Sequence, residues 1–263
     1  GKAKLVVNIE EGEKLYITEI NIQGAEKLDE DELQDQLALT ERGLFSWLTG
    51  GGVLREELLD RDAAALEAYY ANRGFMDVRV GHPEVSYQDD GIHITFQVQE
   101  GPRYSVGRVS FQGDLITATE RLSRVVQMDD LAAENKPFDR SILRDDTQSL
   151  TEFYANYGYA FAEANTNLRK NQDDRTIDVA FDLHKKHQVY IRRVLISGNQ
   201  KTRDNVIRRH LYLTEGERFS GRKLTLSKQR LTRIDYFEEV NIETVPTNQP
   251  ELRDLRVNIK EKS

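Results

Sequence analysis

The chain has 263 residues, of which 31% are charged, with a formal net charge of −8 and no cysteine. No run approaches the roughly 18 apolar residues of a spanning helix, and an acidic chain is a poor nucleic-acid binder as a whole. Disulfides and thiolate metal sites are excluded.

Taken in chain order, residues 2–11, KAKLVVNIEE, read as the last strand of a preceding repeat, because KLVVNIEEGEKLYI parallels ITFQVQEGPRYSV further on. Tyr16, Thr18, Ile20 and Ile22 then alternate with other side chains, the period of a strand, and Gly24 ends the run. Asp29 stands before an acidic first turn as an N-cap, with Leu33, Leu37 and Leu39 on a short helix. A second helix runs from about Arg55 to Asn72, with Leu58, Leu59, Ala63, Leu66 and Tyr70 on one face, and Asn72-Arg73-Gly74 supplies a left-handed stop. Two strands close the unit, Val78–Tyr87 and Ile92–Gln99, joined across Gln88-Asp89-Asp90-Gly91.

The same order recurs twice. Openings at Tyr16, Tyr104 and Tyr190 are 88 and 86 residues apart, and glycines 24, 113 and 198 fall in register. In the middle unit Asp139 caps, Leu143, Leu150, Phe153 and Tyr154 form the helix face, and Gly158 stops it. Its closing strands are Tyr159–Arg169 and Thr176–Leu183; those of the third unit are Val240–Val245 and Leu252–Lys260. The third unit lacks the stop glycine, and Asp235 is the residue there best able to take a left-handed conformation. The expected fold is α+β: tandem β-α-α-β-β modules over 12–102, 103–187 and 188–263, each a three-stranded mixed sheet covered on one face by two helices. A helical crossover makes the first and third strands parallel, the hairpin makes the last two antiparallel, and the most apolar strand, ITFQV or DVAFDL, belongs in the centre. The first and second strands are then edges.

Little in the sequence supports catalysis. His82, His93, His184, His187 and His210 are scattered, and HKKH at 184–187 reads as a basic linker before it reads as a metal site. Asp89-Asp90 and Asp173-Asp174 sit in hairpin turns, where Asp favours the turn itself. Gly50-Gly51-Gly52 lacks the Lys and Ser/Thr of a phosphate loop, and Glu56-Glu57 would repel an anion. No enzyme activity, metal or cofactor is expected.

These repeats resemble the polypeptide-transport-associated (POTRA) domains of BamA-type outer-membrane assembly proteins. The resemblance rests on openings ending INIQG, VSFQG and LISGN, on YYANRGF and FYANYGY, and on ITFQVQEG leading into the next tyrosine, and it covers residues 12–263. It implies a scaffold at the periplasmic face of a Gram-negative outer membrane, followed by a membrane β-barrel. Its partners would be unfolded β-barrel clients and accessory lipoproteins, with no nucleic acid. Two-partner secretion or translocation-assembly transporters and barrel-less periplasmic scaffolds are the alternative readings. An exposed sheet edge offers unpaired N–H and C=O groups to an added strand. Expected edge residues are Val78, Val80, Val85 and Tyr87 in the first module, and Ala160, Ala162, Ala164 and Leu168 in the middle one.

Two further surfaces stand out. GLFSWLTGGG, 43–52, lies between the helices of the first module and holds the only tryptophan; Leu44, Phe45, Trp47 and Leu48 either tuck against their own domain or contact an accessory subunit. From Gln188 onward the chain has 16 Lys and Arg against 10 Asp and Glu, while the rest has 21 against 35. Arg208, Arg209, Arg218, Arg222 and Arg230 are therefore expected to form a membrane-proximal basic surface.

Overall fold

Among the described residues most alternating runs become strands and the 3.6-residue faces helices, three times over, although the first helix ends at Gln34, before Leu37 and Leu39. The computed structural model describes residues 15–41 and 54–262. The expected strand at 1–11 and the loop holding Leu44, Phe45, Trp47 and Leu48 lie outside the described residues. The first module comprises β1 (Ile17–Gln23), α1 (Glu30–Gln34), α2 (Glu56–Ala71), β2 (Arg79–Val80), β3 (Glu84–Gln88) and β4 (Gly91–Gln99). In the second are β5 (Ser105–Gly113), α3 (Thr119–Ser123), α4 (Met128–Ala133), α5 (Arg140–Ala155), β6 (Glu163–Asn171) and β7 (Thr176–His184). The third has β8 (Tyr190–Ser197), α6 (Asp204–Arg208), α7 (Gly221–Thr232), β9 (Phe237–Pro246) and β10 (Leu252–Glu261). Compact packing groups residues up to 104 with 137–140 in one unit, and 105–136 with 141–263 in another.

Within the first unit, β4 is central. β1 pairs with it in parallel, and β2 and β3 pair with it antiparallel on the other side. Alternation along β4 puts Ile92, Ile94, Phe96 and Val98 on one face, against Ile20 and Ile22 of β1, Leu33 of α1 and Leu66 and Tyr70 of α2. Asp29 caps α1, accepting the Asp31 N–H at 2.9 Å. Burying a large apolar side chain of this kind contributes about 1.5–3 kcal/mol, so the packing of both helices on this face holds the module together.

Within the second unit there are two such sheets, ordered β5-β7-β6 and β8-β10-β9. Their modules join directly. Asn156 at the end of α5 accepts the Arg222 N–H in the first turn of α7 at 2.7 Å. Gly158 accepts from Val189 at 2.8 Å, and Ala155 and Ala160 pack against the core of Val194, Leu231, Leu255 and Val257.

Three recurring devices fix the modules. The glycine ending each first strand has φ of 84°, 85° and 85° at 24, 113 and 198, and a Cβ there would meet the carbonyl oxygen of Val98, Leu183 or Ile259 on the central strand. A buried helix carboxylate holds the link before it: Asp62 accepts from the N–H groups of Ala38 and Leu39, both at 2.9 Å, and Asp146 from Gln127 and Met128, both at 2.8 Å. In the third module Ser227 stands there, accepting one N–H from Tyr212 at 2.8 Å. Finally, each first strand carries an irregularity: at Thr18, at Gly107-Arg108 and at Arg192.

The Arg192 irregularity lets its guanidinium reach Asp254 at two points, 2.8 and 2.6 Å apart. Arg192 holds the Asp254 carboxyl below its ordinary pKa, and at Asp178 the Arg108 N–H does the same. A carboxylate with a depressed folded-state pKa adds stability above its unfolded pKa, about 3.9, and loses it as pH falls through the folded value. Stability should accordingly fall below about pH 4. Arg192→Met should flatten part of that fall, as read by denaturant titration at pH 3 to 7.

Several expectations are corrected. The second strand of the first module is broken at Gly81-His82-Pro83: the pairing shifts by one residue between Val80↔Val98 and Glu84↔Thr95. Pro83 has no N–H to give the ladder, so the strand bulges there. Val78 precedes the strand. In the middle module the strand starts only at Glu163, so Ala160 and Ala162 lie in the preceding turn, with Ala160 committed to the next module's core. Asp235 does not take a left-handed conformation. Helix α7 instead ends with Arg233 at φ −77°, and Asp235 is held by Lys262 at 2.6 Å. Helix α4 has no counterpart in the sequence reading.

Candidate strand-docking edges

Which backbone groups point outward follows from hydrogen bonds on the other side of each central strand. Ile92 donates to Tyr16 and Leu183 accepts from Asp114, so both turn toward the first strand. In an antiparallel ladder the residue opposite such a position points its own N–H and C=O away. Val85 and Tyr87, opposite Ile94 and Ile92, therefore face the free edge of the first sheet. By the same alternation Ala164, Thr166 and Leu168, opposite Leu183, Phe181 and Val179, face the free edge of the second.

β6 presents the longer run: nine residues paired without a break, mostly exposed along their length, with Leu168 at 42%. Among the described residues, no side chain bonds the outward N–H of Ala164, Thr166 or Leu168. Val80 differs. Its N–H donates to Glu67 of α2 at 2.9 Å, which closes the upper part of that edge. β9 forms the equivalent edge of the third sheet, with Val240, Ile242 and Thr244 outward because the chain after β8 crowds the Ile259 carbonyl on β10's other side. Sequence reasoning passed over β9 as a docking edge, although its alternation was in view.

The basic residues of the third module have separate local partners. Arg218 lies along Gly158 and Arg222 sits at the Asn156 cap, both at the junction with the middle module. Arg208 binds the Val194 carbonyl at 2.8 Å and Arg230 covers the Tyr212 ring at 5.4 Å. No cluster of three or more His, Asp or Glu among the described residues could hold a metal, and no described helix is long and apolar enough to cross a membrane.

The profile of the POTRA family, described as a surface antigen variable number repeat, matches residues 15–101, 104–186 and 189–262. The chain belongs to that family. Among relatives, the outer membrane protein assembly factor BamA of Nitratidesulfovibrio vulgaris is 48% identical over 261 residues, 99% of this chain and 33% of that protein. BamA of Neisseria meningitidis serogroup B is 28% identical over 261 residues, 98% of this chain and 32% of that protein. The chain thus spans about a third of these relatives. The crystal structure of Haemophilus influenzae BamA POTRA3-5 superposes with a TM-score of 0.68 at 22% identity, covering 94% of this chain and 96% of that one. The fold is that of a POTRA array.

Proposed function

We propose that the chain is the periplasmic scaffold of an outer-membrane protein assembly factor, built of POTRA modules at 12–102, 103–187 and 188–263. It holds unfolded β-barrel clients as added strands on its second-strand edges and passes them to a membrane β-barrel of the same protein. The observation that carries this reading is β6: an unbroken edge whose outward N–H and C=O groups are open over three alternate residues. Backbone pairing reads no side-chain sequence, which suits a surface serving many clients. At about 0.5–1.5 kcal/mol per hydrogen bond one edge binds weakly, and repetition along the chain raises avidity. Accessory lipoproteins dock on residues 44–48, and the basic residues Arg208, Arg209, Arg218, Arg222 and Arg230 belong to the membrane-proximal module.

Proline substitution tests this. Leu168→Pro removes an outward donor, so it should weaken binding of a peptide from an outer-membrane β-barrel by roughly tenfold, the equivalent of one or two hydrogen bonds, while leaving the sheet intact. Leu168→Ala should change binding by less than about twofold, because the contact is backbone. Asn167→Pro removes an inward donor and should disrupt the β6–β7 ladder itself. Equal losses from Leu168→Ala and Leu168→Pro would reject backbone pairing.

A further inference from the structure

The first strands are edges too, yet they are not open. At Val194 on β8 the N–H donates to Glu215 Oε1 at 2.9 Å, and the C=O accepts from Arg208 at 2.8 Å. Arg208 and Glu215 are themselves 3.4 Å apart. In a parallel pair a residue directs both backbone groups to the same side. Among the described residues β10 is the one named strand beside β8, and the backbone of 216–219 covers only the start of β8's other side, at Ile191, so this ion pair sits on that side where no strand lies. It places an acceptor and a donor where the C=O and N–H of a neighbouring strand would go.

The first module repeats the arrangement. Ile20 on β1 donates to Glu41 at 2.8 Å, and its carbonyl accepts from Gln34 at 3.4 Å. Both glutamates follow their strand residue by 21 positions, within Leu39-Thr40-Glu41 and Leu213-Thr214-Glu215. In the middle module helix α4 packs beside β5, and the Lys136 carbonyl takes the Val106 N–H at 3.0 Å. The third module has that backbone bond as well, from the Ile191 N–H to the Glu217 carbonyl at 2.8 Å, so backbone closes the start of β5 and β8 and the Arg208–Glu215 pair closes β8 beyond it.

We propose that Arg208–Glu215 and Gln34–Glu41 are side-chain stand-ins for a partner strand, which bar extended clients from the first-strand edges and leave the second strands as the docking edges. This rests on the strand-addition reading above. Charge-assisted bonds are stronger than the neutral peptide bonds an incoming strand would offer in exchange, so a client gains little by displacing the pair. The side chains of Arg208 and Glu215 are 42% and 50% exposed, so removing them opens no cavity.

The test uses amide NMR and hydrogen exchange on the chain and on its Arg208→Ala/Glu215→Ala variant. The probe is a synthetic peptide of about ten residues, a strand's length, alternating valine and threonine with lysine at each end. In the unmodified chain the peptide should shift β6 and β9 and leave β8 silent. The double variant should add shifts across Tyr190–Ser197, and its Val194 amide should exchange more than about tenfold faster, the loss of one hydrogen bond. A folded variant that still binds at β6 with β8 silent would overturn the proposal. Absence of shifts on every second strand of the unmodified chain would instead sink strand addition itself, and Val194 exchange would still decide whether the pair closes the edge. Glu41→Ala offers an independent copy, read at Ile17–Gln23, should the double variant fail to fold.

Discussion

Gly198→Ala is expected to cost the third module about 3–5 kcal/mol, a loss in the range of the severest single substitutions. Two effects add. At φ 85° an L-residue is strained, and the new methyl would be driven into the Ile259 carbonyl, which is backbone of the central strand and has nowhere to move. Calorimetry should show the melting temperature falling by roughly 10 °C or more. Gly216 separates the two effects: its φ is 81° but nothing lies within 4 Å of its Cβ position. Gly216→Ala should cost about 1 kcal/mol, the backbone preference alone. Equal effects at both sites would mean that the close approach does not matter.

Asp146→Ala should be nearly as damaging, at about 2–4 kcal/mol. The carboxylate is 1% exposed and accepts two N–H groups at 2.8 Å, and the alanine would leave both donors without a partner. Burial raises the Asp146 pKa, while the Gln127 and Met128 N–H groups oppose that rise. Asp146→Asn retains one acceptor and should recover roughly half of the loss. Ser227→Ala, which gives up a single accepted N–H in the third module, should cost only about 1 kcal/mol. Urea titrations of the three variants give the order directly, and a Ser227→Ala loss as large as that of Asp146→Ala would contradict this account of the helix–link tie.

Most of the fold was legible because its periods are clean and repeated. Ile92, Ile94, Phe96 and Val98 spell the central strand by alternation, and the glycines at 24, 113 and 198 mark the strand ends, although the clash that requires them shows only in three dimensions. The edges were legible as topology but not as chemistry. Which N–H groups point outward depends on the pairing parity at Leu183 and Ile92, and closure by Glu67, Glu41 and Glu215 depends on where long side chains land. The in-register Leu-Thr-Glu triplets at 39–41 and 213–215 were the available clue. Irregularities were the least legible: the late start of β6 that removes Ala160 and Ala162, and the Asp235 turn, depend on tertiary contacts that override local preference, whereas Pro83 was itself a signal that the second strand breaks. The individual partners of Arg208, Arg218, Arg222 and Arg230 were not legible, because a charge count carries no direction.

The absence of cysteine makes one measurement particularly direct. A single cysteine at Leu168 on β6, or at the exposed Gln148 on α5 as the control, can be trapped as a disulfide with an unfolded outer-membrane β-barrel protein that carries one cysteine. Strand addition on β6 predicts efficient trapping at position 168 and little at 148, with trapping at 168 abolished when Thr166→Pro is added to the same chain. Trapping at 148 equal to or above that at 168, unaffected by the proline, would contradict the proposal that clients dock on the second-strand edge.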